Sequence, residues 1–190
     1  MSSLKYADKE MLYNAGGLNL NWYRAVNNDG YADQKYYTTK YDKPLFSYQI
    51  SADKKSMIIL FSTTATIETE SALKIPYSMK YVIYSNGTID VETSFSKPTD
   101  TKHVRRLGLQ MVMNEGFENV QWYGNGPHEN YSDRMKSAHV GLYETTVQGM
   151  EAEHYVRSQS MGNREGVRWF RVADNNKNGL KITSKDRMSF

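Results

Sequence analysis

The feature that most constrains this fold is a two-residue alternation of apolar and polar side chains, which recurs along the chain. In residues 88–95 one face carries Ile89, Val91, Thr93 and Phe95, and the other face is polar. Successive side chains of a β-strand point to opposite sides, so this pattern predicts a strand with one buried face. No segment keeps a helical period of 3.6 residues over three turns. We therefore expect an all-β protein.

Turn signals separate the alternating segments. Asn86-Gly87 joins residues 77–84 to residues 88–95, and this dipeptide favours a hairpin because both of its residues tolerate positive φ. Asn175 to Gly179 predicts another turn. Further strands are predicted at residues 56–70, 106–113, 117–124, 138–147, 167–174 and 179–184. This series of strands and turns predicts an antiparallel β-sandwich.

Composition narrows the class of protein. The 190 residues are 39% hydrophobic and 24% charged, which suits a globular chain, and we treat residues 1–190 as a single β-sandwich domain. The net charge of +3 is dispersed, so no nucleic-acid partner is expected. No apolar run reaches the roughly 18 residues of a membrane helix. Cysteine is absent, which removes disulfides and thiolate metal sites.

The ionisable residues do not form a recognisable catalytic or metal motif. The four histidines, His103, His128, His139 and His154, have none of the usual spacings of zinc ligands, so no metal site is expected. The chain has no nucleophile elbow and no phosphate-binding loop, so no cofactor is expected. Glu129 and Asp133 lie four residues apart in an irregular segment, and we assign both a structural role.

Residues 121–135, QWYGNGPHENYSDRM, concentrate glycines and polar residues and are called the corner segment below. We expect a strand to end at Tyr123, and Gly124 and Gly126 to let the backbone turn where side chains would clash. Pro127 would restrict the backbone where the chain leaves this turn. Polar side chains would then bond to backbone groups that lack regular partners. The residues assigned to this structural corner are Trp122, Gly124, Gly126, Pro127, Glu129, Asn130, Tyr131 and Asp133.

The corner segment resembles the signature of the C-terminal β-sandwich, or small-chain, domain of family-two β-galactosidases. That signature reads Trp-Tyr-Gly-x-Gly-Pro-His/Gln-Glu-Asn-Tyr-x-Asp-Arg and continues as Ala-x-x-Gly-x-Tyr. It is matched from Trp122 to Arg134 and then at Ala138, Gly141 and Tyr143. Residues 18–30, LNLNWYRAVNNDG, and 155–174, YVRSQSMGNREGVRWFRVAD, resemble two further family segments in the expected order. The resemblance covers the chain from about Ser3 to Phe190.

The chain departs from the family pattern at a few positions. Val26 and Asn27 replace Pro-Thr, and Ser158 replaces a proline. Ser160 and Met161 stand where the family has Glu-Asn, so a hydrogen-bond acceptor and an amide are lost. If those groups hold a ligand or a neighbouring domain in the family, the contact is weakened in this chain.

The resemblance implies a fold, and it implies that catalysis belongs to another domain of the enzyme. The implied fold is the antiparallel supersandwich shared with galactose mutarotases, truncated at its ends. Both catalytic glutamates of the family lie in a separate upstream barrel and act by a retaining mechanism, so this chain is expected to be inactive alone and to contain no catalytic residue. Its expected partners are that barrel and, through the parent enzyme, a galactoside. A bacterial-type cytoplasm and a periplasm both remain open as its compartment.

Two alternatives use the same residues differently. The first is a stand-alone carbohydrate-binding module of mutarotase-like fold, with Asn28, Asp29, His128 and Arg134 as candidate sugar ligands. The second is a free-standing epimerase, which needs a histidine and a carboxylate that converge on one sugar ring. His128 and Glu129 are adjacent, but neighbours in sequence often point apart, so the epimerase is disfavoured.

Overall fold

The computed structural model describes residues 1–6, 8–22, 39–67, 73–96, 106–156 and 159–190. The chain divides into two compact units, the first from residues 1–32 and 105–190 and the second from residues 33–104. The described residues contain strands and one 3₁₀ turn, Gln148–Glu151, and no α-helix. All sheet pairings are antiparallel, so the predicted all-β antiparallel class is confirmed. The likeness to galactose mutarotase and the single-domain boundary stay predictions.

The first unit is organised around strand β10. Its strands are β1 (Lys5–Tyr6), β2 (Lys9–Glu10), β3 (Asn19–Asn21), β9 (Gly108–Gln110), β10 (Asn119–Gly126), β11 (His139–Thr146), β12 (Val167–Ala173) and β13 (Gly179–Met188). They form a four-stranded sheet in the order β11-β10-β12-β13 and two small ribbons, β1-β2 and β3-β9. Alternate residues of β10 are buried, and Val120, Trp122 and Val167 form a core cluster packed by Phe170 and Phe190.

The second unit is one five-stranded sheet. Its strands are β4 (Thr39–Tyr41), β5 (Leu45–Ile50), β6 (Ser56–Ile67), β7 (Leu73–Tyr84) and β8 (Ile89–Phe95). Strand β7 pairs with the whole of β6, so β4 and β5 share the other edge of β6, one after the other. The predicted hairpin is confirmed: Gly87 has φ +84° between β7 and β8, and the Asn86 side chain accepts the N–H of Thr88 at 2.9 Å.

Two segments differ from the sequence prediction. The strand predicted at residues 106–113 is reduced to the three residues of β9, because its partner β3 is equally short. Leu107 and Leu109, which share one face of this alternating segment, are 44% and 37% exposed. Strand β5 is an additional strand that the turn and alternation signals above did not predict. The end of the strand predicted at residues 56–70 lies outside the described residues.

Candidate functional site

The glycines of the corner segment lie in strand β10, which continues to Gly126 instead of ending at Tyr123. The predicted turn at Gly124 and Gly126 is therefore wrong, because both residues pair with strand β11. The predicted clash is confirmed. A Cβ on Gly124 would come within 2.7 Å of the Val167 Cα, and one on Gly126 within 2.6 Å of the Tyr143 ring. The missing side chains make room for these neighbours, and a cis peptide bond leads on to Pro127.

Trp122 fills the space beneath the corner segment. Its side chain is 1% exposed, and its indole N–H donates to the Asn125 carbonyl at 2.9 Å. The rings of Tyr143 and Phe190 lie 5.4 Å and 6.1 Å from it, centroid to centroid. The guanidinium of Arg164 lies 5.0 Å from its ring centroid, and burial lowers the pKa of Arg164. A cation–π contact and the Gly162 carbonyl, which accepts from Arg164 at 3.0 Å, offset part of the desolvation cost of this buried charge.

Glu129 is the centre of the corner segment's polar contacts. Its carboxylate is buried, and Oε1 accepts from Arg134 Nη2 at 2.5 Å and from the Tyr155 hydroxyl. Oε2 accepts the backbone N–H of Gly162 at 2.8 Å. Arg134 Nη1 closes the group by donating to the Tyr155 hydroxyl at 2.8 Å. We call Glu129, Arg134, Tyr155 and Gly162 the Glu129 cluster. Both of its carboxylate oxygens are engaged by protein donors, as a buried carboxylate requires.

Asn130 joins the same two segments through a second set of hydrogen bonds. It is 0% exposed, its N–H donates to the Asn163 carbonyl at 2.9 Å, and its side-chain oxygen accepts the N–H of Glu165 at 2.9 Å. The Asn163 side chain returns a bond to the Asn130 carbonyl at 2.7 Å. Asn130 Nδ2 donates to the His128 carbonyl at 3.0 Å. These bonds supply the partners that an irregular buried backbone needs.

Backbone and ring geometry support the Glu129 cluster. Gly162 has φ +82°, a left-handed conformation that favours glycine, and it presents its N–H to Glu129. The guanidinium carbon of Arg134 lies 4.6 Å from the Tyr131 ring centroid and 5.3 Å from that of Tyr155. Burial, and then the neighbouring Glu129, raise the pKa of both tyrosines. Tyr155 therefore keeps the proton that it donates to Glu129.

The candidate sugar ligands fall in different environments. Both terminal nitrogens of Arg134 are bonded within the Glu129 cluster, although its side chain is 45% exposed. His128 is partly exposed, and its Nε2 lies 2.9 Å from the Ser137 hydroxyl. Asn28 and Asp29 lie outside the described residues. The structure thus joins Arg134 to Glu129 and gives His128 a separate partner.

The epimerase alternative needs His128 and Glu129 to act on one ring. The His128 imidazole bonds to Ser137, whereas the Glu129 carboxylate is occupied by Arg134, Tyr155 and Gly162. The two neighbouring side chains therefore have separate sets of partners. Asp133, the other acidic residue of the corner segment, is exposed and makes no hydrogen bond to another described residue. Its assigned structural role stays a prediction.

One ion pair, between the exposed Lys9 and the buried Asp174, was missed by sequence reasoning. Lys9 Nζ lies 2.8 Å from Asp174 Oδ2, and its side chain also covers the Phe117 ring at 4.6 Å. Asp174 Oδ1 accepts the N–H groups of Asn176 and Asn178, each at 2.9 Å. The hydrogen bond from Lys9 is the main cause that lowers the pKa of Asp174. An aspartate just before an asparagine-rich turn was the available signal.

Two negative findings apply to the described ranges alone. Within them, no group of three or more His, Asp or Glu side chains is arranged to hold a metal ion. The described residues also contain no helix that is long and apolar enough to cross a bilayer.

Sequence comparison places the chain among glycoside hydrolases. A β-galactosidase of Lactobacillus delbrueckii subsp. bulgaricus is 29% identical over 185 residues, which are 96% of this chain and 18% of that protein. A β-galactosidase of Halalkalibacterium halodurans is 26% identical over 190 residues, which also cover 96% of this chain and 18% of that protein. A β-galactosidase of Priestia megaterium is 32% identical over 102 residues, which cover 54% of this chain and 10% of that protein. The chain thus spans between 10% and 18% of the length of these relatives.

The family relationship extends over the whole chain. The family described as beta galactosidase small chain matches residues 1–190. The chain belongs to the β-galactosidase small chain family. The resemblance carried by the corner segment is confirmed by this match.

Proposed function

We propose that the chain is a non-catalytic C-terminal domain of a retaining β-galactosidase, which packs against the catalytic barrel and shapes the galactoside pocket. The complete enzyme would hydrolyse terminal β-D-galactosides. Family membership supports the β-galactosidase, since the relatives above carry that name and each is several times longer than their shared region.

The observation that carries the non-catalytic role is the engagement of Glu129. A general acid or base must exchange a proton with the substrate, and a nucleophile must reach its anomeric carbon. The Glu129 oxygens face Arg134, Tyr155 and Gly162, and the residue is 7% exposed. This carboxylate holds two chain segments together and has no free approach for a sugar.

A domain exchange tests the proposal. The region of the Lactobacillus delbrueckii relative that aligns with this chain would be deleted in one protein and replaced by this chain in another. We expect the deletion to abolish hydrolysis of a nitrophenyl β-D-galactoside and the replacement to restore part of it. This chain alone should not hydrolyse the substrate. Equal kcat and KM in the deletion and the replacement would contradict the proposed packing and pocket role.

The alternative of a carbohydrate-binding module is favoured by one observation, an apolar row with two aromatic rings on the outer face of the four-stranded sheet. Leu142, Tyr123 and Trp169 lie side by side on β11, β10 and β12. Leu142 is 63% and Tyr123 40% exposed, and flat rings such as those of Tyr123 and Trp169 can cover the apolar faces of sugars. Lys181 lies 4.3 Å from the Trp169 centroid.

Titration with galactose separates the two functions. A binding module would show saturable NMR shifts at Tyr123 and Trp169, or at the ligand candidates His128 and Arg134. The accessory-domain proposal expects no shift in the isolated chain at high millimolar galactose. Saturable shifts that disappear in Trp169→Ala but persist in the matched outer-face variant Thr183→Ala would favour the binding module.

A further inference from the structure

Strand β5 of the second unit is an open edge with apolar side chains. Among the described residues it pairs only with β6, and all six of its residues are exposed. Phe46, Tyr48 and Ile50 are 63%, 65% and 55% exposed, and Leu45–Ile50 contains no charged residue. Proteins usually block such edges with charges, prolines or bulges. Only Pro44, just before the strand, serves that purpose here.

The hydrogen bonds to β6 determine which backbone groups of β5 point outward. Ser51 donates its N–H to the Ser56 carbonyl at 3.0 Å, and the register continues regularly from this pair along the strand. Bonding direction alternates in an antiparallel ladder, so the N–H and C=O groups of Phe46, Tyr48 and Ile50 face away from β6. The side chains of these three residues also share one face of the sheet.

We propose that two copies of this chain associate by antiparallel pairing of their β5 strands, about a two-fold axis that passes beside Tyr48 perpendicular to the sheet. In this register Tyr48 lies opposite the partner's Tyr48, and Phe46 lies opposite the partner's Ile50. All three outward-facing residues then find hydrogen-bonded partners, about six N–H···O bonds in total. A shift of two residues in either direction leaves one of the three without a partner.

Apolar continuity supports a second copy as the occupant. Phe46, Tyr48 and Ile50 pair with Phe61, Ile59 and Met57 of β6, so the apolar face extends inward from the edge. A symmetry axis perpendicular to the sheet places the equivalent faces of both copies on the same side. The dimer would therefore join two apolar faces into one, with aromatic and β-branched side chains paired across the junction.

Charge complementarity supports the same register. It brings Lys43 towards the partner's Asp53, and Asp42 towards the partner's Lys54. Opposite charges at both ends of an uncharged strand favour this antiparallel alignment over parallel pairing. Pro44 has no N–H to offer to the partner, so the ladder ends there. A single pair of strands buries less area than a stable dimer interface, so the association is weak and depends on concentration.

Sedimentation equilibrium with matched lysine variants tests the dimer. Tyr48→Lys places two like charges opposite each other on the axis, and we expect the dimer dissociation constant to rise at least about tenfold. Gln49→Lys adds the same charge to the same strand, but it lies opposite the partner's Ser47, and we expect less than about a threefold change. Equal effects of the two variants would contradict the register. A protein that is monomeric up to about 1 mM would contradict the dimer.

Cysteine cross-linking tests the register directly, because the chain has no cysteine of its own. Cα atoms of a hydrogen-bonded antiparallel pair lie about 5.5 Å apart, within the range that a disulfide bridges. Tyr48→Cys should therefore form a disulfide-linked dimer on mild oxidation. Gln49→Cys should not, since its symmetry mate is a diagonal neighbour at about 7–8 Å. Equal yields from both variants would overturn the proposal.

Hydrogen exchange distinguishes other occupants of the edge. In the proposed dimer the amides of Phe46, Tyr48 and Ile50 become protected as the protein concentration rises. Protection of these amides at concentrations where the protein is monomeric would mean that another segment of the same polypeptide covers β5, and the proposal would be wrong.

Discussion

The two units contrast in how their sheets are covered. In the first unit, the buried face of β10 carries Trp122, and Glu129 beside it is bonded to a distant segment through both oxygens. In the second unit, β5 leaves its side chains and one row of backbone groups exposed. The buried carboxylate of the corner segment is thus bonded through both oxygens, whereas the uncharged strand β5 leaves an edge without a partner among the described residues. Residue type alone does not locate function, because function requires groups that are not already paired.

The greatest loss of stability is expected from a substitution of Trp122 in the core of the first unit. Trp122→Ala removes ring contacts with Tyr143, Phe190 and Arg164 and leaves a cavity, and it should lower the free energy of unfolding by about 3–5 kcal/mol. The neighbouring Tyr123, 40% exposed, is the matched control, and Tyr123→Ala should cost less than about 1 kcal/mol. Urea unfolding of both variants measures this, and similar losses would contradict the assigned burial.

The next effect concerns the Glu129 cluster. Glu129→Gln places an amide where Arg134 and Tyr155 donate, and it should cost about 1–3 kcal/mol, reduced because the Arg134 side chain is 45% exposed. Tyr155→Phe removes one of the same donors, so a double-mutant cycle should give a coupling energy of about 0.5–3 kcal/mol. Asp133→Asn, at an exposed position, should stay within about 0.5 kcal/mol. Additive losses in the cycle would show that the cluster does not act as a unit.

A pH-dependent effect is expected at Glu10, the last residue of strand β2. Hydrogen bonds from the Ser3 hydroxyl, then from the N–H groups of Leu4 and Leu12, lower the pKa of Glu10 from 4.5 to about 2. The folded protein therefore binds the proton less tightly than the unfolded chain. The stabilisation by Glu10 is complete above the unfolded pKa and is lost as the pH falls from about 4.5 towards 2.

Thermal unfolding between pH 2 and pH 7 checks this effect. Glu10→Gln should lower the Tm at neutral pH and flatten its decline below pH 4.5 relative to the unsubstituted chain. Glu118→Gln, which also removes one carboxylate from the first unit, serves as the control and should leave the decline unchanged. Parallel pH profiles for Glu10→Gln and the unsubstituted chain would contradict the shift.

The smallest expected effect lies on the open edge. Phe46 is 63% exposed, so Phe46→Ser should change the unfolding free energy of the monomer by less than about 0.5 kcal/mol. Met79 lies on the same face of the same sheet but is 3% exposed, and Met79→Ala should cost about 2–5 kcal/mol. Chemical denaturation at low protein concentration measures both. A large loss in Phe46→Ser would mean that the edge is covered within the monomer.

The strands could be predicted where their signal is local. Alternation and β-branched residues predicted β6, β8, β10, β11 and β12, and Asn86-Gly87 predicted the hairpin between β7 and β8. Each of these features depends on neighbours in sequence. Strand β9 was overestimated because its length is limited by its partner β3, about ninety residues earlier in the chain.

For the corner segment, the sequence predicted the type of hydrogen bond that its polar residues make, but not which residues are their partners. The residue types predicted polar bonds to backbone, and Glu129 and Asn130 make them. The backbone N–H groups that they bind, those of Gly162 and Glu165, lie 33 and 35 residues further along the chain, which no local pattern reveals. The turn at Gly124 and Gly126 was predicted wrongly because glycine permits both a turn and close packing. Contacts with Val167 and Tyr143 decide between the two.

Under the proposed function, the corner segment stabilises a β-galactosidase domain without taking part in its chemistry. The most direct test is kcat per folded molecule, measured together with the Tm, for Glu129→Gln in the complete enzyme. We predict a lower Tm with kcat within about threefold of the unsubstituted enzyme, since a structural residue affects the amount of folded protein more than its turnover. An unchanged Tm with a loss of about 1,000-fold in kcat, as expected for a catalytic group, would contradict the claim.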